Sequence, residues 1–418
     1  MSCGNFKADT SLMNSDEKLI WYSITYTYVF WLLGALYIVG PVVGWVLFLR
    51  MTRRFIYDKE NYITSTAQFD WIAGMLIMLI ALLIAHFEYE LGIAKLIKSS
   101  IGWAKGWALF AIFPLIGSLN IRPELIYRAS CIVCKHTLII LPFCIFAWLV
   151  GLPSTLYVSP LSIIGGPGPE FFSVSLYEID PGSGTPRWRL FTPWAPALGM
   201  MGNLFFNFAI QEKTTRHKVY GLIGSLVMVL ISQSRLAIAC YIFLLCYFTF
   251  IRCHKSPLLY FLASPTVLIL GLLGTHVTEK IEMIIAAIKS VRAGSTRVRE
   301  HLSQIALDRW ANEALVWGHG IVERGPHLVE YMHIGSHHTW YGLLFVKGLA
   351  GALALAIPLI FSLITFSREM FKSIIAASSV ALLLQLCIYT LGENLEILVY
   401  LFWPGLIIIG IAHKRKGA

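Results

Sequence analysis

The sequence predicts an all-α polytopic integral membrane protein, and three observations carry that prediction. Of the 418 residues, 57% are hydrophobic and 13% are charged, more apolar surface than a soluble domain of this size has use for. The apolar residues fall in long runs rather than in short amphipathic stripes. Lys and Arg gather in short clusters between the runs, the positive-inside signature of a chain that crosses a membrane repeatedly. That clustering assigns the net charge of +10 to membrane topology; membrane lipids are expected partners and nucleic acid is not.

Eleven candidate spans fall near residues 22–49, 69–87, 103–118, 137–158, 192–210, 219–232, 236–251, 257–275, 340–365, 373–390 and 397–412. Several are shorter than the ~20 residues a perpendicular helix needs. A twelfth half-span has room in the N-terminal region or in 88–102. The first eighteen residues are polar and the first apolar run is too long for a signal-peptide core, so no cleavable signal is expected. Arg50, Arg53, Arg54 and Lys59 follow the first run, and Arg122, Arg128 and Lys135 precede the fourth. Lys213, Arg216 and Lys218 follow the fifth, Arg252 and Lys255 the seventh, Arg368 and Lys372 the ninth, and Lys414, Arg415 and Lys416 end the chain. In an alternating topology these share one side, which the positive-inside rule makes cytoplasmic. An odd span count would place the N-terminus on the other side.

The chain, 1–418, thus reads as a single transmembrane domain with two longer loops opposite the basic side. The loop 159–191 contains GGPGPE and PGSGTPRWR, whose Gly and Pro density predicts turns rather than a helix. The loop 276–336 is the longest polar stretch. Its EKIEMIIAAIKSVRAG puts Ile281, Ile284, Ile285 and Ile288 on one stripe, suited to a membrane interface. A second helix is expected from Ser295, with Leu302, Ile305, Leu307 and Trp310 as packing residues, ending at the glycines of WGHGIVERG.

That loop breaks the positive-inside rule, because Arg292, Arg297, Arg299, Arg309 and Arg324 lie on the side where basic residues are sparse. One reading is a solvated helix face balanced by Glu300, Asp308 and Glu313. The other is an anion site, since arginine's planar fork binds phosphate oxygens bidentately. Arg235, in SQSR between two apolar runs, poses the same choice: snorkelling to headgroups, or a lipid phosphate held in a cavity. At the bilayer centre its charge would cost roughly 2.5–3.5 kcal/mol. His337 and His338, in IGSHHTWYGLLFVKGLAG, open another apolar run, where an ionisable residue is a functional candidate. Eight cysteines are scattered; Cys131 and Cys134 form a CxxC with no second pair at zinc spacing, so no metal is expected. Walker, HExxH, GxSxG and Asp-x-Asp patterns are absent from the sequence, which argues against a nucleotide-driven enzyme or a metalloprotease. Gly318, Gly320 and Gly325 follow a helix at irregular spacing and form no dinucleotide fingerprint.

Taken in order, SQSRLAI, STRVREHLSQIAL, WGHG and HHTWYGLLFVKGLAG resemble the O-antigen polymerase and ligase superfamily. The likeness spans roughly residues 190–412. It implies a GT-C-type bundle of 11–12 membrane helices in the bacterial cytoplasmic (inner) membrane, with the active site facing the periplasm. In the family pattern His337 takes the histidine position, Thr339 and Trp340 follow, and Gly348, Leu349 and Gly351 close the motif. His338 stands where the family has Asn, and a one-residue shift gives His338 the active role instead. Arg235 and Arg297 match the family's arginines after a short polar turn and at the opening of the loop helix, with Arg299 beside the latter. RWRLFTPWAPALG, with Arg187 and Arg189, looks like the arginine-bearing entry to a central span in capsule and exopolysaccharide polymerases. The resemblance implies an undecaprenyl pyrophosphate-linked saccharide donor, a saccharide acceptor, and a chain-length regulator or flippase as partners, with no cofactor.

The residue chemistry suits such a transfer. Preorganised arginines stabilise a departing pyrophosphate without a metal, and a neutral histidine takes the proton of an attacking sugar hydroxyl, a contribution of about 10²–10⁴ in rate. Three functions stay open: a polysaccharide polymerase, an O-antigen ligase delivering the same donor to lipid A-core, and a transporter of an anionic lipid-linked glycan. Against the transporter, no paired broken helices or repeat symmetry are legible in the sequence.

Overall fold

The computed structural model describes residues 13–59, 65–180, 184–258 and 293–417, with isolated positions between 260 and 283. It is a helical bundle with two short β-ribbons at one end. Among the described residues, seven helical segments are long and apolar enough to cross a membrane, so the chain is a mainly α-helical polytopic membrane protein. The expected span at 257–275, the stripe Ile281–Ile288 and Arg292 fall largely or wholly outside the described residues. The helices are α1 (Ser15–Thr25), α2 (Thr27–Leu32), α3 (Leu36–Tyr57), α4 (Thr66–Glu88), α5 (Ile93–Lys105), α6 (Leu109–Ile116) and α7 (Pro123–Leu149). After the ribbons come α8 (Ala195–Gln211), α9 (Thr215–Ile231), α10 (Arg235–Cys253), α11 (Ala293–Glu313), α12 (Thr339–Ser367), α13 (Ile374–Tyr389) and α14 (Leu395–Gly417). The membrane-length window of α14 is 89% buried, against at most 50% in the other six. It is the central helix.

The first expected span, 22–49, is corrected to a helical hairpin. The reversal at Leu33–Ala35 is closed by Gly34 N–H donating to Trp31 O and Ala35 N–H donating to Phe30 O, each at 2.8 Å. Apolar residues run unbroken through this turn, so hydropathy alone hides it. Ion pairs fix the ends: Arg50 and Arg54, late in α3, reach Asp16 at the start of α1 at 3.3 and 2.7 Å. Next to Asp16, Glu17 accepts both Nε and Nη2 of Arg122 at 2.8 Å. The start of α1 therefore lies among the basic clusters. Arg128 with Glu212 (2.8 Å) and Lys213 with Glu124 (3.4 Å) join the same end, and Lys414 donates to Asn120 Oδ1 at 2.8 Å.

Two further boundaries move. The span expected at 137–158 stops at Leu149, because Gly151 takes φ +71° and Pro153 cannot continue a helix. Thr155–Val158 is instead strand β1, antiparallel to β2 (Ser173–Ser175), and β3 (Glu178–Ile179) pairs β4 (Pro186–Arg187). Among the described residues, the loop beyond Val158 is built of turns, these short ribbons and two short 3-10 helices, Pro160–Ile164 and Pro169–Phe172, with no α-helix, as its Gly and Pro content predicts. The span expected at 103–118 is interrupted: α5 ends at Gly106 (φ −113°, ψ −98°) and α6 starts at Leu109.

The helix α12 is interrupted too, at Gly348 (φ +63°, ψ −162°). The segment Leu315–Gly320 lies in the gap and takes up the backbone groups that the break frees. His319 and Gly320 N–H donate to the carbonyls of Phe345 and Val346 at 2.9 Å each. Leu349 and Ala350 N–H donate to those of Leu315 and Val316 at 3.0 Å each. These four bonds pair the carbonyls of Phe345 and Val346 and the amides of Leu349 and Ala350, as irregular backbone at membrane depth requires. Glycine is required on both strands of this exchange: a Cβ at Gly348 would lie 2.3 Å from Val316 O, and one at Gly318 (φ +72°) would lie 2.4 Å from Lys347 N. The glycines of WGHG and of KGLAG thus answer each other.

The CxxC has a packing role. Cys131 and Cys134 are buried thiols on α7, against Gly221 and Gly224 of α9, small residues that let two membrane helices approach closely.

Candidate functional site

The HHTW motif sits at the end of the bundle opposite the basic clusters, where α12 enters. Its threonine fastens that entry to the turn between α13 and α14. Thr339 N–H donates to Thr390 O at 3.0 Å, and Thr339 Oγ1 donates to Glu393 O at 2.6 Å while accepting Leu395 N–H at 3.1 Å. Trp340 Nε1 donates to Thr390 Oγ1 at 2.9 Å. The turn so held carries Glu393, a carboxylate only 7% exposed that accepts the indole N–H of Trp194 at 3.1 Å.

His337, Glu393 and Arg299 form one electrostatic group. Burial, reinforced by the Arg299 charge, pushes the His337 imidazole down to about 4, so the ring is neutral across the physiological range. Burial pushes the Glu393 carboxyl up to about 7, against the pull of Arg299 and of the Trp194 hydrogen bond. Arg299, exposed on α11, is thus close enough to act on both. His338 has different surroundings. It occupies the N-cap position of α12, stacks on Tyr341 with ring centroids 4.0 Å apart, and its Nδ1 is buried without a hydrogen-bond partner among the described residues. Of the two adjacent histidines, His337 is the one facing an arginine.

Arg235 opens α10 behind the N-cap Ser234, whose hydroxyl accepts Ala237 N–H at 3.3 Å. The neighbouring Leu236 lies where a side chain on Gly392 would meet it, which brings the start of α10 beside the Glu393 turn; in sequence, 62 positions separate Arg235 from Arg297. Arg297 is exposed on α11. Val298 between them is buried with Leu302 and Val329, and at 100° per residue Arg297 and Arg299 flank it on opposite sides. Arg299, not Arg297, is brought to His337.

Arg187, Arg189 and Arg309 are held by protein contacts of the loops. Arg187 pairs with Glu178 and, at 3.1 Å, with Asp180. Arg189 is buried and donates to Ser173 Oγ at 2.8 Å and to the carbonyls of Glu170 and Pro193. Both organise the ribbon loop. Arg309 bridges Glu313 and Glu323 at 2.9 and 2.6 Å, which bears out the balanced-face reading for that residue. On α11, Leu302 and Ile305 pack inward as expected, joined by Val298 and Ala306, while Leu307 and Trp310 are half-buried.

Two features were missed from sequence. Glu393 belongs to the stretch GENLE, whose two carboxylates three residues apart at the start of an apolar run were the available signal. His319, from WGHG, bonds Phe345 O through Nδ1 at 2.9 Å and Glu313 Oε2 through Nε2 at 2.8 Å. Its ring stacks on Phe345 at 4.3 Å, so it locks the segment Leu315–Gly320 against α12. Comparison of the chain with protein-family models and with curated proteins finds no match to either.

Proposed function

We propose that this chain is a metal-independent GT-C-type glycan transferase that moves a saccharide from an undecaprenyl pyrophosphate donor to a saccharide acceptor. Its reading as a polysaccharide polymerase of the bacterial inner membrane, working at the periplasmic face, is the one put forward. The observation that supports it is the grouping of His337, Arg299 and Glu393 at the end opposite the basic clusters, which the positive-inside rule assigns to the outer side.

In this reading Arg235 and Arg299 hold the two phosphates. The bound pyrophosphate, an opposite charge beside His337, raises the basicity of an imidazole that is otherwise held neutral. The acceptor hydroxyl attacks the anomeric carbon, its proton passes to His337, the anomeric C–O bond to phosphate breaks, and undecaprenyl pyrophosphate departs between the arginines. Glu393, titrating near neutrality, accepts the proton in turn or fixes the imidazolium.

Loss of the chain in its host tests the polymerase against the ligase. A polymerase defect leaves single repeat units transferred and no long polymer. A ligase defect leaves lipid-linked polymer intact and lipid A-core bare.

One observation favours a transporter of an anionic lipid-linked glycan as the second reading. The sequence shows no paired broken helices, yet the structure interrupts both the α5–α6 segment at Gly106 and α12 at Gly348, and discontinuous helices are a common way to build transporter sites.

A further inference from the structure

We infer that the cavity between the two interrupted helices is a subsite for one sugar ring of the glycan, held by Lys347 and Glu396. The cavity encloses about 210 Å³, below the roughly 300–1,000 Å³ of sites for drug-sized ligands, and so suits a single ring. Trp107 reaches it from the break after α5, Lys347 from the break in α12, and Asn394 and Glu396 from the start of the central helix, with Ser336 and Thr339 at its rim.

The lining is built for an occupant with several hydroxyls. Lys347 is 2% exposed and forms no hydrogen bond or ion pair among the described residues. Its stem lies over Gly351, where a Cβ would come within 2.4 Å of it. Glu396 acts on it electrostatically without closing to contact. Trp107 turns its buried indole N–H toward Glu396 without reaching hydrogen-bond geometry, and the buried Ser336 hydroxyl is likewise unsatisfied. Buried polar groups are almost always paired; the Trp107 N–H and the Ser336 hydroxyl, both unsatisfied among the described residues, converge with the unpaired Lys347 and the half-buried Glu396 and imply a ligand that supplies the missing partners. A pair of adjacent sugar hydroxyls does so: one accepts from the Lys347 ammonium, the other donates to the Glu396 carboxylate, and the ring's C–H face lies against the indole. A ligand with a single charge would leave one member of the pair opposed, whereas a neutral polyol satisfies both.

This subsite deepens the glycan reading and rests on it. It adjoins the site through Thr339, which belongs to the cavity rim and also holds the Glu393 turn. A ring seated there lies against Ser336, the residue before His337.

Saturation-transfer NMR on the full chain in nanodiscs tests it, with methyl glycosides of glucose, galactose, N-acetylglucosamine and N-acetylgalactosamine as probes and serine as a zwitterionic control. At least one glycoside is expected to bind the wild type, with affinity lost about tenfold or more in Lys347→Met. Because breaking one charge of the pair can destabilise the fold, Lys347→Met/Glu396→Gln removes both together, which is far better tolerated; the same loss of binding is expected. Binding of no glycoside, binding of serine alone, or unchanged binding in the double variant would overturn the subsite. Donor transfer measured on the same samples separates the two ideas: transfer without glycoside binding removes only the subsite, and specific binding without transfer removes only the transferase.

Discussion

Arg299 on α11 acts on the half-buried imidazole of His337 at the entry of α12, although the two belong to separate motifs 38 positions apart in sequence. The same guanidinium acts on Glu393, so one charge from the large loop reaches both titratable groups of the site, alongside burial, the larger influence on each. Loop and bundle therefore form one catalytic surface in the proposed reaction, and the following variants probe that surface.

His337→Ala is expected to lower transfer by about 10²–10⁴-fold, the range for a general base, with expression and membrane insertion unchanged. His338→Ala is expected to retain most of the rate, since His338 stacks on Tyr341 rather than facing an arginine. Radiolabelled sugar transferred per minute, for each variant, checks this. Full activity in His337→Ala with loss in His338→Ala would shift the register by one.

Arg235→Ala and Arg299→Ala are each expected to impair transfer severely, with the Lys variants intermediate because they keep charge and lose the fork. If both act on one pyrophosphate, the double variant is far less damaging than the sum of the singles. Arg297→Ala, on the other flank of Val298, is expected to be milder than Arg299→Ala. Fully additive losses would mean that Arg235 and Arg299 share no phosphate.

The pH profile follows from Glu393. Its carboxyl, pushed up to about 7, is protonated and neutral below that pH and ionised above it. In the proposed reaction only the ionised carboxylate can take the proton passed on by His337, so kcat/KM is expected to rise with pH through about 7. In Glu393→Gln that limb disappears. An unchanged limb in the variant would remove Glu393 from the rate-determining titration.

Gly348→Ala places a Cβ 2.3 Å from Val316 O at a φ of +63°, a conformation that costs a non-glycine residue of order 1–3 kcal/mol. Thermal unfolding in nanodiscs is expected to fall by several degrees, and Gly318→Ala, on the facing strand, to behave alike. A melting temperature equal to wild type would mean that the interruption tolerates a side chain.

Much of this architecture was legible in the sequence, and the exceptions have physical causes. Basic clusters at 50–59, 122–135, 213–218 and 414–416 marked one end correctly because charge must avoid hydrocarbon wherever the chain turns. The hairpin at Gly34 escaped because Leu32, Leu33 and Ala35 keep the run apolar while the backbone reverses. The break at Gly348 escaped because a helix interrupted inside protein keeps its hydropathy, its freed amides and carbonyls being satisfied by Leu315–Gly320. His337 stood out by polarity at the head of an apolar run. Glu393 did not, because what makes it special is burial beneath Trp194, a residue 199 positions away.

Transfer by the purified chain in nanodiscs, supplied with a purified undecaprenyl pyrophosphate-linked repeat unit and no metal, tests the central claim most directly. The account predicts a lengthened glycan with one undecaprenyl pyrophosphate released per bond formed, and both products lowered by about 10²–10⁴-fold in His337→Ala. Equal yields from His337→Ala, or glycan crossing a sealed bilayer with no new glycosidic bond, would contradict it.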